Sequence, residues 1–262
     1  MVAIINGIKK FKYYLDHKND HEDIQQEEII DDNTLTDEFQ KTEYETNDKA
    51  GSNDKVATVE THYNYMQGYE NGNFGPNDGI TRAQVAAIFA RLDKKFDEAK
   101  TYRVETYSDV KASSWYSDYV GYCAIELIMT GYNDGTYHPN EKMKKIEFLA
   151  AAVRYAEVDY FGKKSTYKDT KGTWADEYIG YLQEMGYISG KTQDTLGAQD
   201  HITRAEVCSV LNALLGRKPD KAKIDATQKK AYFKDVSKSA WYYYDVVEAT
   251  TYHDIDLYHN TK

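Results

Sequence analysis

Three short blocks of this 262-residue sequence place a cation where it could hold an anion: Thr81-Arg82-Ala83-Gln84, Lys144-Lys145-Ile146-Glu147 and Thr203-Arg204-Ala205-Glu206. Each opens a run of apolar residues at i, i+3, i+4 and i+7, the stripe of one helix face. The runs are Val85, Ile88, Phe89, Leu92; Phe148, Ala151, Ala152, Tyr155; and Val207, Val210, Leu211, Leu214. Thr81 with Gln84, and Thr203 with Glu206, have the spacing of a capping box. Arg82 and Arg204 therefore fall in a first helical turn, where backbone N–H groups also favour negative charge. Lys145 supplies charge without the planar fork that suits a carboxylate. Lys144 in place of threonine predicts a weaker helix start. From the residues alone two readings stand: a grip on a bound carboxylate, or an ion pair inside the fold.

The elements that position those cations recur. A loop precedes each block and spans 12 positions from its first glycine to a closing apolar residue: Gly68 to Ile80, Gly131 to Met143, Gly190 to Ile202. Asn133-Asp134-Gly135 is a turn signal, with Gly135 expected at positive φ. In the third loop Lys191 and Asp194 stand where the second has Tyr132 and Gly135, so that loop is expected to depart from the others. Upstream lies a second repeated piece. Tyr107-Ser-Asp109-Val110 leads to Trp115 and a helix through Val120, Cys123, Ala124 and Leu127; Tyr167-Lys-Asp169-Thr170 leads to Trp174, Ile179, Leu182 and Met185. Trp115 to Gly131 and Trp174 to Gly190 are both 16 positions. A third copy, Phe233-Lys-Asp235-Val236 with Trp241 and Val246, has no loop or helix pair after it. Ahead of the first loop, Ser52 stands where Trp is expected, and Val56 and Val59 are all that resembles a helix face. Two full units, one unit truncated at its front and one terminal half-unit result. The half-unit is expected to dock where the first unit lacks its front half, closing a ring of three.

The combined pattern is Asp-Val, Trp, helix, Gly-Tyr-x-Asp-Gly-Thr-Tyr-x-Pro, Thr-Arg-Ala-Glu, helix. It resembles the S-layer homology repeat over about residues 63–254, most closely over Asp109–Ala156. The resemblance implies a mainly α fold: a pseudo-threefold bundle of helix–loop–helix repeats following a flexible acidic leader. The expected divisions are a leader at 1–55, repeats at 56–97, 107–157 and 167–217, and a terminal half-repeat at 232–262. It also implies non-covalent anchoring to a bacterial cell wall, at the cell surface, by grooves that hold a secondary cell-wall polysaccharide, often pyruvylated. Carried over by position, the ligand-binding residues would be Arg82, Arg204 and Lys145, with Asp109, Trp115, Trp174 and Trp241. Gly68, Tyr69, Gly131 and Tyr132 of the loops would join them. The competing expectation for the three tryptophans is burial, because indoles ahead of apolar helices usually pack. For Asp109 and its counterparts Asp169 and Asp235 it is a turn or cap. A degenerate array that binds surface-protein partners instead of sugar is the alternative function.

Composition narrows the classes. The formal charge is −10, and residues 1–55 hold 14 Asp/Glu against 7 Lys/Arg. The acidity thus sits mostly in the leader, and the body has no broad basic face for nucleic acid. The leader is too polar to offset its ordering entropy, apart from a short helix near Ile24–Ile30. Apolar residues Val2–Ile5 come before the charges of Lys9, Lys10 and Lys12, the reverse of a secretory signal, and no membrane span is evident. Cys123 and Cys208 read as small buried hydrophobes. The seven histidines show no metal-ligand spacing, and Asn-Asp-Gly lacks the further ligands of a calcium loop. No nucleophile elbow, phosphate loop or Cys–His signature is present. A non-catalytic binding module without cofactor or metal is expected.

Overall fold

The computed structural model describes residues 58–93, 95–97, 100–102, 107–227 and 233–257. The leader, Ser52 and Val56 lie outside them. Seven helices dominate the described residues: α1 (Arg82–Leu92), α2 (Ser117–Ile125), α3 (Lys145–Tyr155), α4 (Asp176–Glu184), α5 (Arg204–Leu214), α6 (Lys221–Thr227) and α7 (Tyr243–Thr250). Strands β1 (Thr58–His62) and β2 (His253–Leu257) form a two-stranded sheet. Residues Thr61–Ile255 make one compact body that holds all seven of these helices.

The anticipated caps start the helices. Thr81 accepts from the Gln84 N–H while the Gln84 side chain accepts from the Thr81 N–H; Thr203 and Glu206 do the same for α5. Lys144 makes no side-chain cap for α3. The apolar stripes turn inward: Val85, Phe89, Phe148, Ala152, Val207 and Leu211 are all buried. Phe89 reaches from α1 to Phe148 and Tyr155 of α3, at ring-centroid distances of 6.1 and 5.2 Å. Neighbouring helices pair as α1 with α2, α3 with α4, and α5 with α7.

A threefold hub lies where the loops close. The Ile80 N–H donates to the Ile202 carbonyl (3.4 Å), Ile202 to Met143 (3.0 Å) and Met143 back to Ile80 (2.9 Å). All three side chains are buried. Bridges Thr81–Lys142, Lys144–His201 and Gly79–Thr203 surround this cycle. The first two N–H groups of α1, α3 and α5 then donate to the next loop: Arg82 and Ala83 to the Glu141 and Pro139 carbonyls, Lys145 and Ile146 to Asp200 and Ala198, Arg204 and Ala205 to Asp78 and Pro76. Helix-start donors that would otherwise need water or a ligand are thus satisfied by the neighbouring repeat.

Each loop is clamped by one aspartate. Asp109 accepts from the Tyr137 and His138 N–H groups (both 2.8 Å), and Asp169 from Leu196, Gly197 and Ala198 (each 2.8 Å). Asp235 of the C-terminal segment accepts from Phe74 and Gly75 of the first loop (both 2.7 Å). An aromatic two residues earlier explains the first loop glycine. A Cβ on Gly131 would lie 2.2 Å from the Tyr107 ring, on Gly68 2.2 Å from Phe233, and on Gly190 2.6 Å from Tyr167.

Several expectations are corrected. Val59 lies in strand β1, not on a helix face; its run Thr58-Val59-Glu60-Thr61 is β-branched at three of four positions, which favours a strand. Helices α2 and α4 stop early, leaving Leu127 and Met185 exposed. Burial of the tryptophans fails: Trp115, Trp174 and Trp241 are 60%, 49% and 65% exposed. The inward stripe runs two and five residues further on, through Ser117 and Val120, Asp176 and Ile179, Tyr243 and Val246. At 3.6 residues per turn the indole falls off that face. Helix α6 and strand β2 carried no signal in the repeat pattern.

Candidate functional site

The repeated cations at the helix starts face into the joints between repeats. Arg82 is 4% exposed. Its Nε donates to the Tyr137 carbonyl (2.8 Å), one terminal nitrogen to the Thr130 carbonyl (2.9 Å) and the other to Glu147 (3.2 Å). Its guanidinium lies 4.7 and 4.8 Å from the rings of Tyr132 and Tyr137. The Tyr132 hydroxyl donates to the other Glu147 oxygen (3.1 Å). Burial pushes that phenol up to about 12, against the opposing pull of Arg82.

The other two joints vary this arrangement. Lys145 donates to Glu206 (2.7 Å). Arg204 donates to the Phe74 and Gln67 carbonyls and lies over the rings of Tyr69 and Phe74. Gln84 occupies the position that Glu147 and Glu206 hold elsewhere, and among the described residues no carboxylate pairs with Arg204. The joints run repeat 1 to 2, 2 to 3 and 3 to 1.

The loops differ as their sequences do. Gly72 and Gly135 have φ of +83° and +78°. Asp194 does not adopt that conformation; Thr192 and Thr195 shape the turn through their hydroxyls instead. Lys191 donates to Asp200 (2.8 Å) where Tyr69 donates to Asp78 (3.0 Å). One pair replaces the other, and the third loop keeps its closure. Tyr69 and Tyr132 stay partly open, at 41% and 39% exposure. The N–H of Gly131 donates to the Tyr107 hydroxyl (2.9 Å).

A second set of cations lies on the outside. Arg91, near the end of α1, donates to the Tyr119 hydroxyl of α2 (3.2 Å) and lies 5.0 Å from its ring. The Trp115 ring is 6.2 Å from Tyr119. On α3, Arg154 donates to the Tyr178 hydroxyl of α4 (3.1 Å) and lies 4.9 Å from its ring and 5.9 Å from that of Trp174. Among the described residues neither arginine pairs with a carboxylate. Each cluster joins an exposed indole, a tyrosine and a cation at one inter-repeat helix pair. The third pair, α5 with α7, has Trp241 but Ala213 and Asp245 at the other two positions. Arg91 and Arg154 were missed in the sequence. Their signal was register: each lies nine residues after the block cation, Arg82 or Lys145.

The thiols of Cys123 and Cys208 are buried and unpaired, and burial pushes both up. The Asn133-Asp134-Gly135 segment is a turn, with Asp134 accepting from the Thr136 N–H.

Such a ring of helix–loop–helix units, interlocked by cations, defines a repeat-built module. The S-layer homology domain pattern matches residues 48–86, 106–149 and 166–208, and the chain belongs to the S-layer homology family. It is 33% identical over 207 residues to a cellulosome-anchoring protein of Acetivibrio thermocellus, covering 76% of this chain and 44% of that protein. It is 28% identical over 127 residues to an S-layer protein of Bacillus licheniformis, covering 47% and 14%. It is 27% identical over 111 residues to the S-layer protein EA1 of Bacillus anthracis, covering 41% and 12%. The chain thus spans less than half the length of these relatives. Family and relatives point to cell-wall anchoring at the cell surface. No helix among the described residues is long and apolar enough to cross a membrane.

Proposed function

We propose that this chain anchors to the bacterial wall by holding a secondary cell-wall polysaccharide that bears acidic groups such as pyruvate ketals, on the α1/α2 and α3/α4 faces. One observation carries the reading: at both faces an exposed indole and an arginine lie against the same tyrosine, and the arginine pairs with no carboxylate among the described residues. An indole offers a flat apolar surface to a sugar ring. An arginine offers a planar fork to a carboxylate. The inner cations Arg82, Lys145 and Arg204 serve this indirectly by fixing the helices that carry the outer residues. Of these three, Arg204 is the best placed to meet a ligand anion, because among the described residues no carboxylate pairs with it and its neighbour Tyr69 is exposed.

The test is sedimentation with purified sacculi. Wild-type protein should pellet with intact walls and stay in solution with walls stripped of their polymer. Trp115→Ala combined with Trp174→Ala should lower apparent affinity at least about tenfold, which is ~1.4 kcal/mol, with an unchanged melting temperature. Trp241→Ala should have a smaller effect. Undiminished pelleting of the double variant removes these faces from the site. A wild-type protein that ignores walls and self-associates would favour the protein-interaction reading.

A further inference from the structure

Where the first described strand, the last helix and the last strand converge, three chemistry-bearing side chains meet. His62 ends β1, Glu248 lies on α7 and His253 begins β2. His62 Nδ1 is 2.7 Å from Glu248 Oε1, and His253 Nε2 is 3.2 Å from Glu248 Oε2. One ligand atom from each lies within 4.8 Å of the others. The imidazoles stand edge to face at 5.2 Å. Glu248 is 1% exposed and His62 4%, whereas the His253 side chain is 25% exposed and opens the cluster to solvent.

A buried carboxylate needs a compensating positive charge. Among the described residues no lysine or arginine pairs with Glu248; only the imidazoles do. His253 Nδ1 lies 3.1 Å from the Thr251 carbonyl, which accepts a proton from it. In the neutral ring the Nε2 lone pair then points at a carboxylate oxygen, an arrangement that is favourable only with a cation between the two. Donation of the distal ring N–H to a backbone carbonyl is also how metal-bound histidines are oriented. Two imidazole nitrogens and one carboxylate, with one side open to water, form a ligand set suited to zinc.

We propose that His62, Glu248 and His253 bind one divalent transition-metal ion of the zinc class. The ion would replace the two hydrogen bonds to Glu248 and tie β1, α7 and β2 together. Its ligands are 186 residues apart in sequence between His62 and Glu248, so it would close a long loop and stabilise the fold.

The test uses the whole chain, stripped with chelator and titrated with Zn2+ alone by calorimetry, and with Co2+ followed by visible absorption. One saturable Zn2+ per chain, a rise in melting temperature reversed by chelator, and Co2+ bands of a nitrogen–oxygen site in the visible range are expected. His253→Ala should abolish all three. As the least buried of the three, it is the variant least able to perturb the core, and the wild-type Co2+ spectrum reads the ligand set without any variant. Absence of saturable binding leaves the cluster as a proton-held histidine pair and overturns the proposal. So does a near-ultraviolet thiolate band, which would place the metal on Cys123 or Cys208, or Zn2+ binding that survives in His253→Ala.

Discussion

Helix α1 carries two arginines nine residues apart in opposite surroundings. Arg82 is buried at the joint with repeat 2, its nitrogens committed to two carbonyls and Glu147. Arg91 is exposed, and its partners are a tyrosine hydroxyl and ring. Helix α3 repeats the contrast with Lys145 and Arg154. The cation that recurs in every repeat is the one that holds the ring together. The cation present in two repeats and replaced by Ala213 in the third is the one left available outside. Recurrence in all repeats therefore marks interlocking, whereas the outer cation varies between repeats; the proposed ligand faces lie on that variable side.

The largest expected effect breaks the interlock itself. Deleting residues 232–262 removes Asp235, the clamp of the first loop, and α7, whose Tyr243 and Val246 are fully buried. The cut also exposes the α5 face that α7 covers. A loss of several kcal/mol is expected by analogy with core truncations, read as a lower midpoint in urea unfolding. A truncated protein that unfolds like the parent would show that the C-terminal segment does not complete repeat 1.

Point substitutions sharpen the comparison between inner and outer cations. Arg82→Ala leaves Glu147 with the Tyr132 hydroxyl alone and strands two carbonyls, and should cost about 3 kcal/mol, the scale of breaking a buried pair. Arg204→Ala leaves carbonyls but no carboxylate, and should cost about 1–2 kcal/mol. Arg91→Ala should stay within about 0.5 kcal/mol while weakening wall binding. Equal losses of stability at Arg82 and Arg91 would erase the distinction.

A smaller effect belongs to acid. Burial raises the Asp169 carboxyl, but N–H donors from Ala198, Leu196 and Gly197 outweigh it and hold the group below its ordinary value of 3.8. A folded value below the unfolded one contributes stability above that ordinary value, lost as pH falls through the folded value. Asp169→Asn should therefore be less stable near neutrality and show a flatter decline below pH 4. An unchanged acid profile would assign the sensitivity to other carboxylates.

Much of this was legible from local pattern. Capping boxes at Thr81 and Thr203, inward stripes of α1, α3 and α5, and the positive φ of Gly135 follow from spacing a few residues wide. The destinations of the side chains were not, because they depend on the neighbouring repeat. Nothing near Arg82 in sequence announces Glu147, 65 residues away. Nothing near Gly68 announces the Phe233 ring that excludes a Cβ there. Of the two expectations for the indoles, burial fails because it rests on size alone, whereas helix phase puts them outside. The His62, Glu248 and His253 cluster had no sequence signal, since the repeats do not share β1 and β2, and Glu248 on α7 stands at a position that α2 and α4 fill with Tyr122 and Tyr181.

The smallest effect tests whether the weak start of α3 is a defect or an accommodation. Lys144 makes no cap, and Lys144→Thr would restore the block seen in the other repeats. In α1 and α5 the third helical residue reaches back to the cap N–H. In α3 that residue is Glu147, and both its oxygens are already taken by Arg82 and the Tyr132 hydroxyl. The new threonine can therefore accept from the Glu147 N–H but cannot complete the reciprocal bond. A gain of about 0.5 kcal/mol is expected, below the ~1 kcal/mol typical of a cap, measured by urea unfolding. A full gain would mean that Glu147 can leave Arg82 at little loss, and the inner joint would then be less tightly held than its geometry indicates.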